Sequence, residues 1–125
     1  MNAVKILVAE DDGFLREVYK ETLSRGGYSV ETASDGQDAL QKLKLPGWSL
    51  VLLDIVMPKM DGLTVLKTAR LDPVFDTTHK MPIIFLTNLD NDKEVKEALS
   101  LGSGCLTKSQ LTPGDLLNEV SKFIV

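Results

Sequence analysis

The sequence lacks several features that mark other protein classes. It contains a single cysteine, Cys105, which cannot form an internal disulfide, so a reducing compartment is expected. No run approaches the roughly 18 consecutive apolar residues of a transmembrane helix, and no long apolar segment precedes the acids of MNAVKILVAEDD. These absences predict a cytoplasmic, soluble chain without membrane insertion.

The sequence also lacks an excess of positive charge. Its net charge is −4, so broad affinity for nucleic acid is not expected, whereas 43% hydrophobic residues are enough for a core. We find no repeat, low-complexity run or linker in the 125 residues. We therefore expect one domain over residues 1–125, whose output comes from its own surface.

Apolar, β-branched runs alternate with helical patterns along the chain. Strands are predicted at residues 4–9, 28–33, 50–54, 82–87 and 105–107. Helices are predicted at residues 13–25, 35–44, 61–70, 90–101 and from Pro113 onward, with Thr112 as the last N-cap. Five such units in series predict an α/β fold, with a parallel sheet between two layers of helices.

Polar residues stand where the predicted strands end. The first strand leads into Glu10 and Asp11, the third ends on Asp54, the fourth ends on Thr87, and Lys108 follows the fifth. In such sheets, ligands bind beyond the carboxyl ends of the strands. Clustered carboxylates would raise one another's pKa unless a cation lay among them, which predicts Mg²⁺, with Mn²⁺ as a possible substitute.

Taken one at a time, these residues also have ordinary interpretations. Glu10 and Asp11 could be solvated turn acids, Thr87 a strand former and Lys108 a solvated lysine, while Asp12 is better explained as the N-cap of the first helix. The functional hypothesis depends on all of them lying at one edge of one sheet.

The loop after the third strand is the most specific motif. Residues 54–62 read DIVMPKMDG, and KILVAEDD, PIIFLTN and LTK stand around them in order. This pattern resembles the receiver domain of bacterial response regulators over essentially the whole chain. The resemblance implies a flavodoxin-like, doubly wound five-stranded parallel sheet of order 2-1-3-4-5, with five helices in a three-layer arrangement.

The resemblance also implies roles for individual residues. Asp54 matches the phosphoacceptor, and Glu10 and Asp11 match the acidic pair that binds the metal together with it. Val56 matches the position whose backbone carbonyl coordinates the metal, a role that any side chain permits.

Two further positions match groups that contact the phosphoryl group, namely the Thr87 hydroxyl and the Lys108 ammonium. The implied function is transfer from a phosphohistidine of a histidine kinase or phosphotransfer protein to Asp54, in a Mg²⁺-dependent reaction. The fourth helix, fifth strand and fifth helix would then switch and bind an unknown downstream protein, without direct nucleic-acid binding. Such a domain catalyses only its own phosphorylation and dephosphorylation.

The sequence departs from the family pattern at several positions. Ser109 stands where many receivers have proline after the lysine, Cys105 where an aromatic switch residue is usual, and Asn88 where a small residue is common. Val56 and Leu89 are apolar at positions that flank the path of attacking water. We expect slow loss of the phosphoryl group as a result.

Three alternative functions remain to be compared. A pseudo-receiver would share the fold and act as an interaction module without phosphorylation. A phosphatase of the haloacid dehalogenase class needs a second acid where this chain has Val56, and a dinucleotide-binding protein needs a glycine-rich turn where it has Glu10 and Asp11.

Three other residues have predicted roles outside the site. Trp48 is interpreted as a packing residue and His79 as a solvated loop residue. For Phe14, core packing and docking of a kinase or phosphotransfer protein both remain open.

Overall fold

The elements alternate along the chain as the sequence predicts. A computed structural model describes residues 4–72, 81–88 and 92–124, with only the backbone at positions 92 and 94. The strands are β1 (Lys5–Ala9), β2 (Ser29–Ala33), β3 (Leu50–Asp54), β4 (Ile83–Thr87) and β5 (Gly104–Thr107). The helices are α1 (Gly13–Arg25), α2 (Gly36–Leu43), α3 (Gly62–Leu71), α4 (Asp92–Leu101) and α5 (Pro113–Phe123). In the part of the chain so described, no helix is long and apolar enough to cross a bilayer.

The five strands form one parallel sheet. Its order is β2-β1-β3-β4-β5, so the predicted order is confirmed. Ala9 pairs with Leu53, Asp54 with Leu86, and Thr87 with Thr107. These pairings bring the carboxyl ends of β1, β3, β4 and β5 to one edge of the sheet.

Helices cover both faces of this sheet, as a three-layer fold requires. Every residue of β3 and β4 is buried, and their side chains alternate between two apolar clusters. On one face, Leu53 and Phe85 pack with residues of α2, α3 and α4. On the other face, Leu52 and Ile84 pack with residues of α1 and α5.

Three of the helices begin with a glycine that directly follows an aspartate. The pairs are Asp12 and Gly13, Asp35 and Gly36, and Asp61 and Gly62. In each pair the aspartate side chain accepts a backbone hydrogen bond from the first helical turn, so it is the N-cap. This confirms the prediction for Asp12. The predicted helix starts at Asp35 and Asp61 are one residue too early, because a capping residue stays outside the helix.

The last helix begins as predicted. Thr112 is the N-cap and Pro113 the first helical residue, and a capping box joins Thr112 to Asp115 through two hydrogen bonds of 3.1 Å. The sequence pattern did not predict the short 3₁₀ helix Lys108–Gln110, which directly follows β5.

Two of the glycines that start helices allow the loop after β3 to pack closely. A Cβ atom on Gly36 would lie 1.8 Å from the backbone oxygen of Met60, and one on Gly62 would lie 2.2 Å from that of Asp54. By contrast, a Cβ atom on Gly13 would meet only the end of a flexible side chain, Arg16 Nη2, at 3.5 Å. The segment between Asp54 and α3 is therefore pressed against α2 and β3 with no room for a side chain.

We predict that Gly36→Ala lowers the free energy of unfolding by about 2–3 kcal/mol, because the new methyl group collides with rigid backbone. Gly13→Ala is the matched control, since it has the same position after a capping aspartate and open space. Its effect should stay within about 1 kcal/mol. Urea denaturation of both variants measures the difference, and equal midpoints would contradict the close-packing argument.

Candidate functional site

Four of the predicted site residues meet at the carboxyl edge of the sheet. Asp54 ends β3, Glu10 and Asp11 follow β1, and Lys108 follows β5. One carboxylate oxygen from each of the three acids lies within 4.8 Å of the other two. The Nζ atom of Lys108 lies 2.6 Å from Asp54 Oδ2 and 2.5 Å from Glu10 Oε1.

Most of this cluster is shielded from water. Glu10 is 0% exposed and Asp54 is 2% exposed, while Asp11 is on the surface. The group faces an open cavity of about 360 Å³. The cavity is lined by Glu10, Asp11, Asp12, Leu15, Asp54, Val56, Asn88 and Lys108. A small solute can therefore reach the buried carboxylates from the side where Asp11 lies.

Burial and mutual charge alter the acidity of these groups. Burial and the neighbouring Asp54 carboxylate raise the pKa of Glu10, against the opposing effect of Lys108. Burial alone would lower the pKa of Lys108, but its contacts with Asp54 and Glu10 raise it overall. Lys108 is therefore held as an ammonium. Glu10 Oε1 is close enough to that ammonium to form an ion pair. The angles between the two groups are not those of a hydrogen bond.

The donor set fits a hard divalent cation. Three carboxylates around one ammonium leave a formal net charge of two minus, and Glu10 Oε1 is buried without a hydrogen bond. Two ligands of one Mg²⁺ ion lie at most about 4.2 Å apart, because each is about 2.1 Å from the ion. Carboxylate oxygens that already lie within 4.8 Å of one another therefore need only small side-chain movements to share it. Glu10, Asp11 and Asp54 are the residues that would hold it.

The sequence matches known proteins over most of its length. The sequence-family model of the response regulator receiver domain matches residues 6–121. The chain belongs to this receiver family. It is 33% identical over 119 residues to the transcriptional regulatory protein CrdR of Helicobacter pylori, covering 95% of the chain and 54% of that protein. It is also 33% identical over 120 residues to the alkaline phosphatase synthesis regulator PhoP of Bacillus subtilis, covering 96% and 48%. The receiver thus spans about half the length of these relatives.

Solved structures of receivers superpose over almost the whole chain. The chemotaxis response regulator CheY4 of Vibrio cholerae is 29% identical, with a TM-score of 0.85 and coverage of 98% of this chain and 100% of that one. The response regulator TrrA of Thermotoga maritima, solved in complex with Mg²⁺-BeF, is 30% identical with a TM-score of 0.82, covering 97% and 99%. These structures share the flavodoxin-like fold.

The two remaining predicted site residues, Val56 and Thr87, have different positions relative to the cavity. Val56 lines the cavity and is 62% exposed, and its backbone N–H donates to Asp54 Oδ1 at 3.3 Å. Thr87 ends β4 and is 2% exposed, and the cavity lining includes its neighbour Asn88 instead. A coordinating role for the Val56 carbonyl and a phosphoryl contact for Thr87 therefore stay predictions.

Sequence reasoning missed one residue that contacts the site. Arg16, on α1, donates from Nη1 to the backbone oxygens of Glu10 at 2.9 Å and Asp11 at 3.3 Å. A signal was available, because long side chains in a helix point back toward its N-terminus. An arginine in the second turn after Asp12 can therefore reach the preceding loop.

The residues predicted to lie outside the site have different outcomes. Trp48 packs against the core and donates from Nε1 to the backbone oxygen of Lys42 at 2.9 Å, which confirms the packing role. Phe14 is 77% exposed, so its core-packing alternative is wrong. His79 and Leu89 lie outside the described residues.

Two departures from the family pattern can be located. Ser109 lies in the 3₁₀ helix after β5, and no cis peptide bond occurs among the described residues. Cys105 is half-buried on the edge strand β5 and pairs in register with Phe85 of β4. The correspondence of Cys105 with the aromatic switch position of the family stays a prediction.

We predict that Lys108→Met lowers the free energy of unfolding by about 2–4 kcal/mol in the presence of EDTA. The substitution leaves Glu10 and Asp54 buried without their cation. Lys122→Met is the matched control, because its ion pair with Glu119 is on the surface and should be worth under about 1 kcal/mol. Chemical denaturation of both variants tests this, and similar losses would show that Lys108 does not stabilise the buried acids.

Proposed function

We propose that the chain is a phosphoacceptor in two-component signal transduction. Asp54 takes a phosphoryl group from a phosphohistidine of a histidine kinase or phosphotransfer protein, with Mg²⁺, or Mn²⁺ in its place, held by Glu10, Asp11 and Asp54. The main support is the buried Asp54 carboxylate, which ends β3 at the cavity and lies 2.6 Å from Lys108. We further propose that this receiver domain extends over residues 1–125 and works in the cytoplasm.

The residues present suit this chemistry. A carboxylate oxygen of Asp54 attacks phosphorus, the bond from phosphorus to the donor imidazole nitrogen breaks, and the imidazole leaves. A bound divalent cation would offset the negative charge of the phosphoryl oxygens. Lys108, already turned toward Asp54, can exchange part of this ion pair for a contact with the phosphoryl group.

The alternatives have less support. Nothing in the geometry or in the comparisons favours a pseudo-receiver. The haloacid dehalogenase alternative needs a carboxylate at position 56, where Val56 projects into solvent. The family is one of signalling domains, and we propose that this member acts on no substrate other than its own acyl phosphate. CrdR and PhoP are named as regulators, but a net charge of −4 gives no reason to propose that this chain binds nucleic acid directly.

We expect acetyl phosphate and Mg²⁺ to add one phosphoryl group to the wild type and none to Asp54→Asn, because the amide is not a nucleophile. Intact-protein mass spectrometry provides the measurement, and EDTA should abolish the addition. Asp61→Asn is the matched control, since Asn caps a helix about as well as Asp and the residue lies in the same loop. Equal labelling of Asp54→Asn and the wild type would refute the assignment.

A surface that responds to phosphorylation belongs to the same proposal. We place it on α4, β5 and α5, because Thr87 ends the strand before α4 and Lys108 directly follows β5. Thr87 precedes α4 in the chain, and Lys108 lies between β5 and α5, so a change at either residue can be passed to these segments. The downstream protein that binds this surface is not identified.

We predict that amide hydrogen exchange in α4, β5 and α5 changes after phosphorylation, because rearrangement near Lys108 alters the local opening of these elements. Mass spectrometry of peptides from wild type and Asp54→Asn, treated identically, measures this. If the only phosphorylation-dependent changes lie in α2, this output surface is wrong.

A further inference from the structure

Arg16 folds back over the loop that contains the two acids after β1. Its Nη1 atom bridges the backbone oxygens of Glu10 and Asp11, and its Nη2 atom lies 3.5 Å from where a Cβ atom on Gly13 would stand. Arg16 is half-buried in this position. One side chain thus links two successive carbonyl groups between β1 and α1.

The two acids differ in how their carboxylates are held. The Glu10 carboxylate is fully buried, contacts Lys108, and accepts a hydrogen bond from the backbone N–H of Asp12 at 3.3 Å. Asp11 is exposed, and among the described residues its carboxylate has no recorded hydrogen bond or ion pair. The position of the Asp11 carboxylate therefore depends on its backbone, which Arg16 holds through the carbonyl oxygen.

We infer that Arg16 is a positioning residue for the cation site: it fixes the backbone of Glu10 and Asp11, and thereby the direction of the Asp11 carboxylate. The inference depends on the cation site proposed above. Groups that orient metal ligands from outside typically change metal affinity by about 10–100-fold when removed. Arg16 donates to the backbone oxygens of Glu10 and Asp11 and, among the described residues, to neither carboxylate, so the acids keep their charge for the cation.

The sign of the effect separates positioning from charge. Arg16 is a positive charge near a cation site, so removing it should strengthen cation binding if only Coulomb repulsion mattered. If Arg16 holds the loop, removing it should weaken binding, because the free loop must be ordered again when the cation binds. The two explanations predict opposite changes in the dissociation constant.

The test is Mn²⁺ binding, measured by electron paramagnetic resonance of the free ion, for wild type, Arg16→Met and Arg16→Lys. Arg25→Met is the matched control, since Arg25 is also on α1 but pairs with Glu21 on the surface. We expect the dissociation constant to rise about tenfold for Arg16→Met. It should rise less for Arg16→Lys, because a single ammonium nitrogen can still donate to both carbonyl oxygens, as Nη1 does. Arg25→Met should match the wild type.

Each outcome decides between the possibilities. Unchanged or tighter Mn²⁺ binding by Arg16→Met would overturn the positioning role, whereas weaker binding by Arg16→Met that is partly restored in Arg16→Lys would support it. In metal-free protein, amide exchange of Asp12 and Gly13 should become faster in Arg16→Met while exchange in β3 stays unchanged, which separates loop release from general unfolding. A wild type that binds no Mn²⁺ would overturn the cation site itself, and with it this inference.

Discussion

The buried contact of Lys108 with Glu10 and Asp54 is the interaction on which the site depends. It joins the residue after β1, the end of β3 and the start of the 3₁₀ helix after β5, which are far apart in the chain. Burying two carboxylates is unfavourable unless a cation compensates them, and here the ammonium supplies one of the two charges needed. The remaining negative charge makes the site receptive to a metal ion. Glu10 and Asp54 therefore belong both to the buried contact and to the acidic cluster that fits a cation.

The sheet supplies the geometry that this contact requires. β3 and β4 are buried on both faces, so their register is set by two apolar clusters at once. A slip of one residue would move each side chain to the opposite face. Asp54 is thereby kept level with the end of β1. The electrostatic site is precise because the apolar core beneath it allows only one alignment.

Much of this arrangement could be predicted from the sequence. The buried strands appear as continuous apolar runs, and Thr112 and Pro113 indicate where the last helix begins. The strand order came from the resemblance to receivers, because hydrophobic periodicity indicates which segments are strands but not which strands are neighbours. The meeting of Glu10, Asp11, Asp54 and Lys108 follows once that order is adopted. Features that depend on side-chain reach were harder to predict: the Arg16 bridge, the exposure of Phe14 and the burial of Thr87 beside the cavity.

The close approaches at Gly36 and Gly62 also have a consequence for mutational tolerance. Any change of a glycine codon that alters the residue adds at least one carbon, and at these two positions that carbon meets backbone within 2.2 Å. Neither backbone segment can move far, because one leads out of the buried strand β3 and the other is pressed against α2. At Gly13 the same change meets only a movable side chain. Sequences descended from this one should therefore vary unevenly at these glycines. Substitutions should be tolerated at Gly13, whereas Gly36 and Gly62 should stay glycine because there is no space for a side chain.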